Sequence, residues 1–176
     1  MTLITLYPLQ GIDITGVGSI NFGQHRSEVE KLLGQPDKSS EHRRSFYRHY
    51  ECRIDYDEFN SVGFIEFIYG PWPERIELSL YGIDPFKIGA DNLVELLTEK
   101  NDGETEGCEA KIACTFFNIS VGLWRDLTEE GAEEMIAESK ANGDYEYDRA
   151  DLEEELEKSR NFWTVGIGKA DCYRRN

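Results

Sequence analysis

The sequence predicts an α+β protein in which two pseudo-repeats of short helices pack on one antiparallel sheet, with an acidic helical insert in the second repeat. Short segments recur in the same order along the chain, and the spacing between partners falls from 71 residues to 58. Connections between strand-like segments are too short for crossover helices, which favours antiparallel pairing. The recurring pairs are Gly11-Ile12-Asp13 with Gly82-Ile83-Asp84, Phe22-Gly23 with Ile88-Gly89, Leu32-Leu33 with Leu96-Leu97, and 59–64 with 117–123.

The first repeat, residues 1–81, is predicted to hold one helix and several strands. Val29, Leu32 and Leu33 fall on one helical face, and Gly34 followed by Pro36 ends the helix. The strand segments are rich in aromatic and β-branched residues. The expected elements are an edge strand at 2–6, a loop at 11–23, a helix at 25–33 and strands at 45–50, 51–57, 62–69 and 75–81.

The second repeat, residues 82–176, contains the insert at 127–160. Thr128 and Asp148 are expected to cap two helices at their starts, and Gly143 suits a left-handed stop between them. A turn at Asn118 joins two strands. The expected elements are a helix at 91–100, strands at 111–117 and 119–124, helices at 127–142 and 148–160, and a strand at 162–167.

The insert carries most of the chain's charge. Residues 125–160 include 14 acidic and five basic residues, a net charge of -9 out of -16 for the chain. Such a segment is either a solvated helix face or a surface that attracts a basic partner.

The acidity of the whole chain restricts its partners. With 35 acidic and 19 basic residues, it would repel a phosphate backbone, so we expect no nucleic-acid partner. No apolar run approaches the ~20 residues of a membrane span, and residues 1–9 lack the features of a signal peptide. The four cysteines show no CxxC spacing and predict neither a zinc site nor a disulfide scaffold. A reduced cytoplasm is the expected location.

Motifs for catalysis or cofactor binding are few. Gly16-Val17-Gly18 lacks the third glycine of a nucleotide loop, and no GxSxG nucleophile motif occurs. Asp55, Asp57 and Glu58 form an acidic cluster before the Asn60 turn. They suit either a hard-cation or acid/base site, or a strand that ends in an Asx-rich turn. We expect no cofactor, no metal ligand and no catalytic residue.

Aromatic and acidic side chains are the candidates for a binding surface. If strand alternation holds, some aromatic side chains point to the sheet face opposite the helices, and aromatic residues dominate protein-binding hot spots. The partner-binding candidates are Tyr50, Tyr56, Trp124, Glu133, Glu134, Glu153, Glu154 and Glu155.

Part of the first repeat resembles a known family. Ile20-Asn21-Phe22-Gly23, followed by a helix that ends in Leu33-Gly34-Gln35-Pro36, is similar to the signature of the β-lactamase-inhibitor-protein-like modules. The resemblance implies helical modules on antiparallel sheets, arranged in tandem in the inhibitor itself. The second copy keeps Leu96-Leu97 but has Asn101-Asp102-Gly103 in place of the Gly-x-Pro ending. More loosely, the chain is similar to acidic bacterial immunity proteins that neutralise polymorphic toxins.

These observations predict a cytoplasmic protein that binds and inhibits a protein partner, as an immunity protein that neutralises a basic toxin domain by stoichiometric binding. A small metal-dependent or acid/base enzyme that uses Asp55, Asp57 and Glu58 is one alternative. A non-inhibitory adaptor is the other.

Overall fold

The computed structural model describes residues 1–40 and 43–174, and within them four helices and twelve strands confirm the α+β prediction. The helices are α1 (Arg26–Leu33), α2 (Ala90–Asn101), α3 (Glu129–Asn142) and α4 (Tyr145–Ser159). The strands are β1 (Thr2–Tyr7), β2 (Gly11–Ile14), β3 (Gly18–Asn21), β4 (Lys38–Ser40), β5 (Arg44–Tyr47), β6 (Cys52–Tyr56), β7 (Val62–Phe67), β8 (Ile76–Leu80), β9 (Thr105–Glu106), β10 (Ala113–Phe116), β11 (Val121–Trp124) and β12 (Thr164–Gly168).

The strands form two sheets, which are antiparallel except for one pair. The large sheet has the order β4-β5-β6-β7-β12-β11-β10-β9, and the small sheet has the order β3-β2-β1-β8. The expected loop at 11–23 is wrong, because β2 and β3 form a hairpin there. Ile12, Ile14 and Ile20 are buried in this hairpin. Burial of these three side chains outweighs the loop-like composition of the segment.

The last predicted strand of the first repeat lies in the small sheet rather than in the meander. β8 pairs in parallel with β1, with Ile4 opposite Leu78. In the predicted meander β8 would pair with β7, but in the structure β12 pairs with that edge of β7. The buried carboxylate of Glu51 accepts hydrogen bonds from the N–H groups of Glu74 and Arg75, at 2.9 and 3.3 Å, and so fixes the path of the chain away from β7.

The strand order of the large sheet is symmetric about the β7–β12 pair. In each half a helix precedes four strands, α1 before β4 to β7 and α2 before β9 to β12. Two pseudo-repeats would produce this order. The matched segments 59–64 and 117–123, however, fall on the β6–β7 and β10–β11 turns, which occupy different positions in the two halves. The boundaries 1–81 and 82–176 therefore stay a prediction.

One face of the large sheet is buried against helices α1 and α2. Ile54, Ile65 and Ile167 lie on this face and are fully buried. Leu93 and Leu97 of α2 join the same core. α1 contributes Val29, whereas Leu32, which was expected to face inward, is exposed.

The opposite face is open and partly covered by the end of the chain. Gly122 and Gly166 are cross-strand neighbours on this face, and the ring of Tyr173 fills the space that side chains at these glycines would need. Tyr173 also meets Phe64 edge-on, with ring centroids 5.7 Å apart. Burial raises the pKa of the Tyr173 hydroxyl. The two glycines thus leave a flat area of the sheet face on which the Tyr173 ring packs.

The insert is a pair of helices, as predicted, with one difference at the start of α4. The Thr128 hydroxyl accepts a hydrogen bond from the Gly131 N–H, so this cap is confirmed, and Gly143 adopts the left-handed conformation with φ 85°. The predicted cap at Asp148 is wrong, because α4 begins at Tyr145 and Asp148 lies in its first turn. None of the described helices combines the length and the hydropathy that crossing a membrane requires.

The sequence predicted no disulfide scaffold, but two of the four cysteines are bonded to each other. Cys108 and Cys114 form a disulfide that links a short 3-10 helix at Cys108–Ala110 to β10. Their Cα atoms are 4.4 Å apart, within the range that a disulfide needs. The spacing of six residues contains no recognised motif, so the sequence alone did not indicate the bond. Cys52 is buried with a free thiol, and Cys172 is exposed with a free thiol.

Candidate functional site

The three tryptophans of the chain come together where the helical insert joins the large sheet. Trp124 ends β11 and Trp163 precedes β12, and their rings meet edge-on with centroids 6.1 Å apart. Trp163 Nε1 donates a 3.0 Å hydrogen bond to the carbonyl of Lys158. The Lys158 ammonium lies 5.6 Å from the ring centre of Trp72. We call Trp72, Trp124, Lys158 and Trp163 the tryptophan surface.

The tryptophan surface is accessible to solvent. Trp72 is 46% exposed and Trp124 is 43% exposed, while Trp163 is half-buried. Tyr69, three residues before Trp72, adds another exposed ring. An isolated exposed aromatic needs no explanation, but contiguous exposed apolar surface with a polar rim is typical of interaction sites.

The backbone holds these aromatic residues in fixed positions. Pairing of β11 with β12 places Trp124 opposite Thr164, and the Trp163 N–H donates to the Trp124 carbonyl at 2.8 Å. The Gly70 N–H donates to the Trp163 carbonyl at 3.0 Å, which connects the loop that carries Trp72. A side chain at Gly70 would collide with the ring of Phe86 and with that carbonyl. The site is therefore largely formed before any partner arrives.

Helices α3 and α4 pack on each other and project beside the tryptophan surface; we call them the acidic hairpin. Ala132 in the first turn of α3 and Ser159 at the end of α4 are its buried residues, and both lie at its base. Tyr147, near the other end, is almost fully exposed. Residues 129–159, which comprise both helices and the turn between them, carry 13 acidic and three basic residues.

Few of these acids are neutralised within the hairpin. Arg149 pairs with Glu153 at 2.8 Å, and Lys158 pairs with Glu154 at 2.7 Å and with Glu155 at 3.5 Å. The hydrogen bond from Arg149 lowers the pKa of Glu153, and the bond to Glu154 raises the pKa of Lys158. The excess of carboxylates leaves a strongly negative surface that adjoins the exposed tryptophans through Lys158.

The structure places the predicted binding residues in three locations. Trp124 belongs to the tryptophan surface. The acidic candidates, all on the acidic hairpin, are Glu133, Glu134, Glu153, Glu154 and Glu155. Tyr50 and Tyr56 lie in the core, at 9% and 4% exposure, and offer no ring to a partner. Alternation along β6 directs Tyr56 inward with Cys52 and Ile54.

Sequence reasoning missed Trp72, Trp163 and Lys158. Trp72 stands between Pro71 and Pro73, in the segment between the strands predicted at 62–69 and 75–81. A residue between two prolines cannot belong to a central strand. The flanking prolines therefore indicated that the Trp72 ring lies on a surface loop. Nothing in the local sequence connects it to Trp163, because 90 residues separate them.

The acidic cluster at the β6–β7 turn is occupied by internal contacts. Asp55 pairs with Arg44 and with Arg53, each at 3.1 Å. Asp57 accepts hydrogen bonds from the N–H groups of Phe59 and Ser61, both at 3.0 Å, and pairs with Lys169 at 3.2 Å.

Those contacts favour a structural role for the cluster. The bond from the Ser61 N–H, together with Lys169, lowers the pKa of Asp57. Glu58 is exposed. Within residues 1–40 and 43–174, no group of three or more histidine, cysteine or acidic side chains is arranged to hold a metal ion. Asp55 and Asp57 line an open groove of about 510 Å³ on the open sheet face, beside Tyr173.

A second recess lies at the base of the acidic hairpin. This cleft of about 420 Å³ is lined by the start of α2, the start of α3, Lys111, Arg125 and Arg160. It is separate from the β6–β7 turn and was not indicated by the sequence.

No protein family, curated protein or solved structure gives a significant match to this chain. Its function is therefore inferred from its own surface.

Proposed function

We propose that the chain binds a basic protein partner through the tryptophan surface and the adjoining acidic hairpin, and that it inhibits this partner as an immunity protein. The observation that carries the proposal is the gathering of all three tryptophans, two of them more than two-fifths exposed, next to the most acidic segment. The resemblance of residues 20–36 to inhibitor-type modules supports it.

The tryptophans supply the affinity. Tryptophan is enriched among the few residues that dominate binding energy, and truncating such a residue costs about 2 kcal/mol or more. Before binding, the Trp163 ring is held by its hydrogen bond to the Lys158 carbonyl, and the Trp124 ring packs edge-on against it. Little side-chain entropy remains to be lost when they are buried against a partner.

The acidic hairpin supplies attraction at a distance. Its solvated carboxylates form the rim of the tryptophan surface, where charge increases the rate of association more than it strengthens the final complex. A partner with a basic face would be oriented by the hairpin and held by the tryptophans. Stoichiometric inhibition requires only that the bound chain covers the surface with which the partner acts on its own target.

The direct test is capture of the partner in the native host by photo-crosslinking from a probe at Tyr69, followed by affinity measurement with the purified pair. Trp124→Ala should weaken binding by about 30-fold or more, equivalent to ~2 kcal/mol. Phe59→Ala is the matched control, because Phe59 is an exposed aromatic residue on the distant β6–β7 turn, and it should change affinity less than about threefold.

A partner whose affinity falls with Phe59→Ala and not with Trp124→Ala would contradict the proposed surface. The inhibitory role is tested separately by expressing the partner in a susceptible bacterium with and without this chain. Protection by the native chain and its loss in the Trp124→Ala variant are expected. If the chain binds the partner but does not protect the bacterium, the chain is an adaptor, and the proposed immunity function is wrong.

A further inference from the structure

Arg125, directly after β11, is a buried cation at the base of the 420 Å³ cleft. The residue is only 3% exposed. Its Nε donates to the carbonyl of Lys111 at 2.7 Å, and its Nη1 donates to the carbonyl of Ser159. The guanidinium carbon lies 5.2 Å from the ring centre of Phe162. Arg125 therefore ties the end of α4 to the loop before β10.

One donor group of Arg125 is left over. Nη2 makes no hydrogen bond to any residue in the described part of the chain. No carboxylate of the described residues lies within 4.0 Å of a nitrogen of the Arg125 guanidinium. Burial lowers the pKa of the guanidinium, because the charge loses hydration. Nη2 is thus the donor that Arg125 offers to the cleft that it lines.

The start of α2 adds backbone donors to the same cleft. Gly89 occupies the capping position and has no side chain with which to cap the helix. The Ala90 N–H donates to the Arg160 carbonyl at 2.9 Å. The N–H groups of Asp91 and Asn92 follow in the first turn, where a helix has no internal acceptor for them. The positive end of the α2 dipole therefore faces the space beside Arg125.

The cleft as a whole is balanced in charge, because three carboxylates line it together with Arg125 and two cations at its rim. Lys111 Nζ lies 3.3 Å from Asp91 and 4.0 Å from Glu130, and Arg160 lies 3.0 Å from Glu129. These carboxylates are at least half exposed. They would repel a doubly charged anion more strongly than a singly charged one.

We infer that this cleft binds the carboxylate of a ligand, between Arg125 Nη2 and the N–H groups of Asp91 and Asn92. A guanidinium and the start of a helix both donate hydrogen bonds to carboxylates and favour their negative charge. A volume of about 420 Å³ lies within the range of small-molecule pockets and leaves room for a chain of several carbon atoms. The site does not depend on the proposed partner-binding surface.

The carboxylate has two possible sources, a free aliphatic acid or the C-terminus of a peptide. The test is an NMR titration of the whole chain with butyrate and with acetyl-trialanine, followed at the backbone amides of Asp91 and Asn92 and at Arg125 Nε–H. Butyramide, the amide of the same peptide and inorganic phosphate at equal ionic strength are the comparison probes. Saturable shifts are expected with one or both carboxylates and not with their amides.

A matched pair of variants leaves Arg125 and the core intact. Asp91→Ala removes a rim carboxylate but keeps the N–H, so the carboxylate should bind about two- to threefold more tightly. Asp91→Pro also removes the N–H, in a turn where proline is tolerated, and should bind about tenfold more weakly than Asp91→Ala. Equal affinities of these two variants would overturn the assignment of the helix donors.

Three further results would overturn the inference. If butyramide or the peptide amide shifts the same resonances as its acid, the cleft recognises no charge. If phosphate binds more tightly than either carboxylate, the preference for a single charge is wrong. A carboxylate that shifts neither Asp91 nor Arg125 binds elsewhere, and the cleft is then only a structural ion network.

Discussion

Trp163 Nε1 and the Lys158 carbonyl, 3.0 Å apart, connect the aromatic ring system to the last turn of α4. The residue that accepts the hydrogen bond also places its ammonium over Trp72. One residue of the acidic hairpin therefore contacts two of the three tryptophans, and the position of the hairpin depends on the aromatic residues beneath it.

Replacing Trp163 with phenylalanine should lower the free energy of unfolding by about 1 kcal/mol beyond the loss of ring area, because the Lys158 carbonyl loses its donor. Trp124→Phe is the matched control, since the Trp124 indole donates no hydrogen bond to the described residues. Urea unfolding of the two variants measures the difference. Equal free energies of unfolding would mean that the bond contributes nothing to stability.

Replacing Cys108 and Cys114 together with serine should lower the free energy of unfolding by about 2 kcal/mol, because the bond closes a short loop in the unfolded chain. The native chain should show the same loss on addition of a reducing agent, whereas the double variant should be insensitive to it. Cys172→Ser, at an exposed free thiol, is the control and should change nothing. The prediction fails if reducing agent leaves the native chain as stable as before.

Reversing Glu153, Glu154 and Glu155 to lysine should slow association with the partner by about tenfold at low salt. The dissociation rate should change less, because these carboxylates are solvated. The control reverses Glu95, Glu99 and Asp102, which are exposed residues outside the acidic hairpin. Stopped-flow binding should show the difference at ~0.1 M salt and lose most of it near 1 M, where the screening length is ~3 Å.

If the control triple slows association as much as the hairpin triple, net charge and not the hairpin steers the partner. If neither slows it, the hairpin is a solvated surface without a role in encounter.

The Asp57 carboxylate should raise the free energy of unfolding at pH values above 3.8, the ordinary pKa of an aspartate, and less at lower pH. Its folded pKa is lowered by the Ser61 N–H and by Lys169, so the stabilisation is present above the unfolded pKa and is lost as pH falls through the folded pKa. Asp57→Asn should therefore be less stable than the native chain at about pH 6, and the gap should close at about pH 2.5. Glu58→Gln, at the exposed neighbouring position, should show no gap at either pH.

The same carboxylates bear on the enzyme alternative. If Asp55 and Asp57 only hold the β6–β7 turn, changing both to asparagine should leave partner binding unchanged. Calorimetry should detect no micromolar binding of Mg²⁺ or Ca²⁺ to the native chain, because hard cations need ~6 oxygen ligands. Tight metal binding that disappears in the double variant would support an enzyme instead.

Features that depend on neighbouring residues were predictable from the sequence. The cap at Thr128 and the stop at Gly143 follow from hydrogen bonding and backbone freedom within one turn. The start of α4 was misplaced because an aspartate within the first turn is as favourable as one before it. Val29 was correctly placed in the core, whereas neighbouring Leu32 was not.

Features that depend on distant residues were not predictable. The parallel pairing of β8 with β1 requires knowing that β12 occupies the edge of β7. Trp124 could be proposed as a surface residue from alternation, but its contact with Trp163 crosses the whole insert. The cleft around Arg125 combines α2, α3 and the loop before β10, and no single segment of the sequence contains a sign of it.

The two ends of the large sheet restrict how a partner can be recognised. The outermost strands, β4 and β9, have only three and two residues. Each presents a very short row of backbone donors and acceptors, too short for another chain to add a stable strand. At the large sheet a partner must therefore recognise side chains on the two faces, and the same short ends protect this sheet from joining edge to edge with other copies of itself.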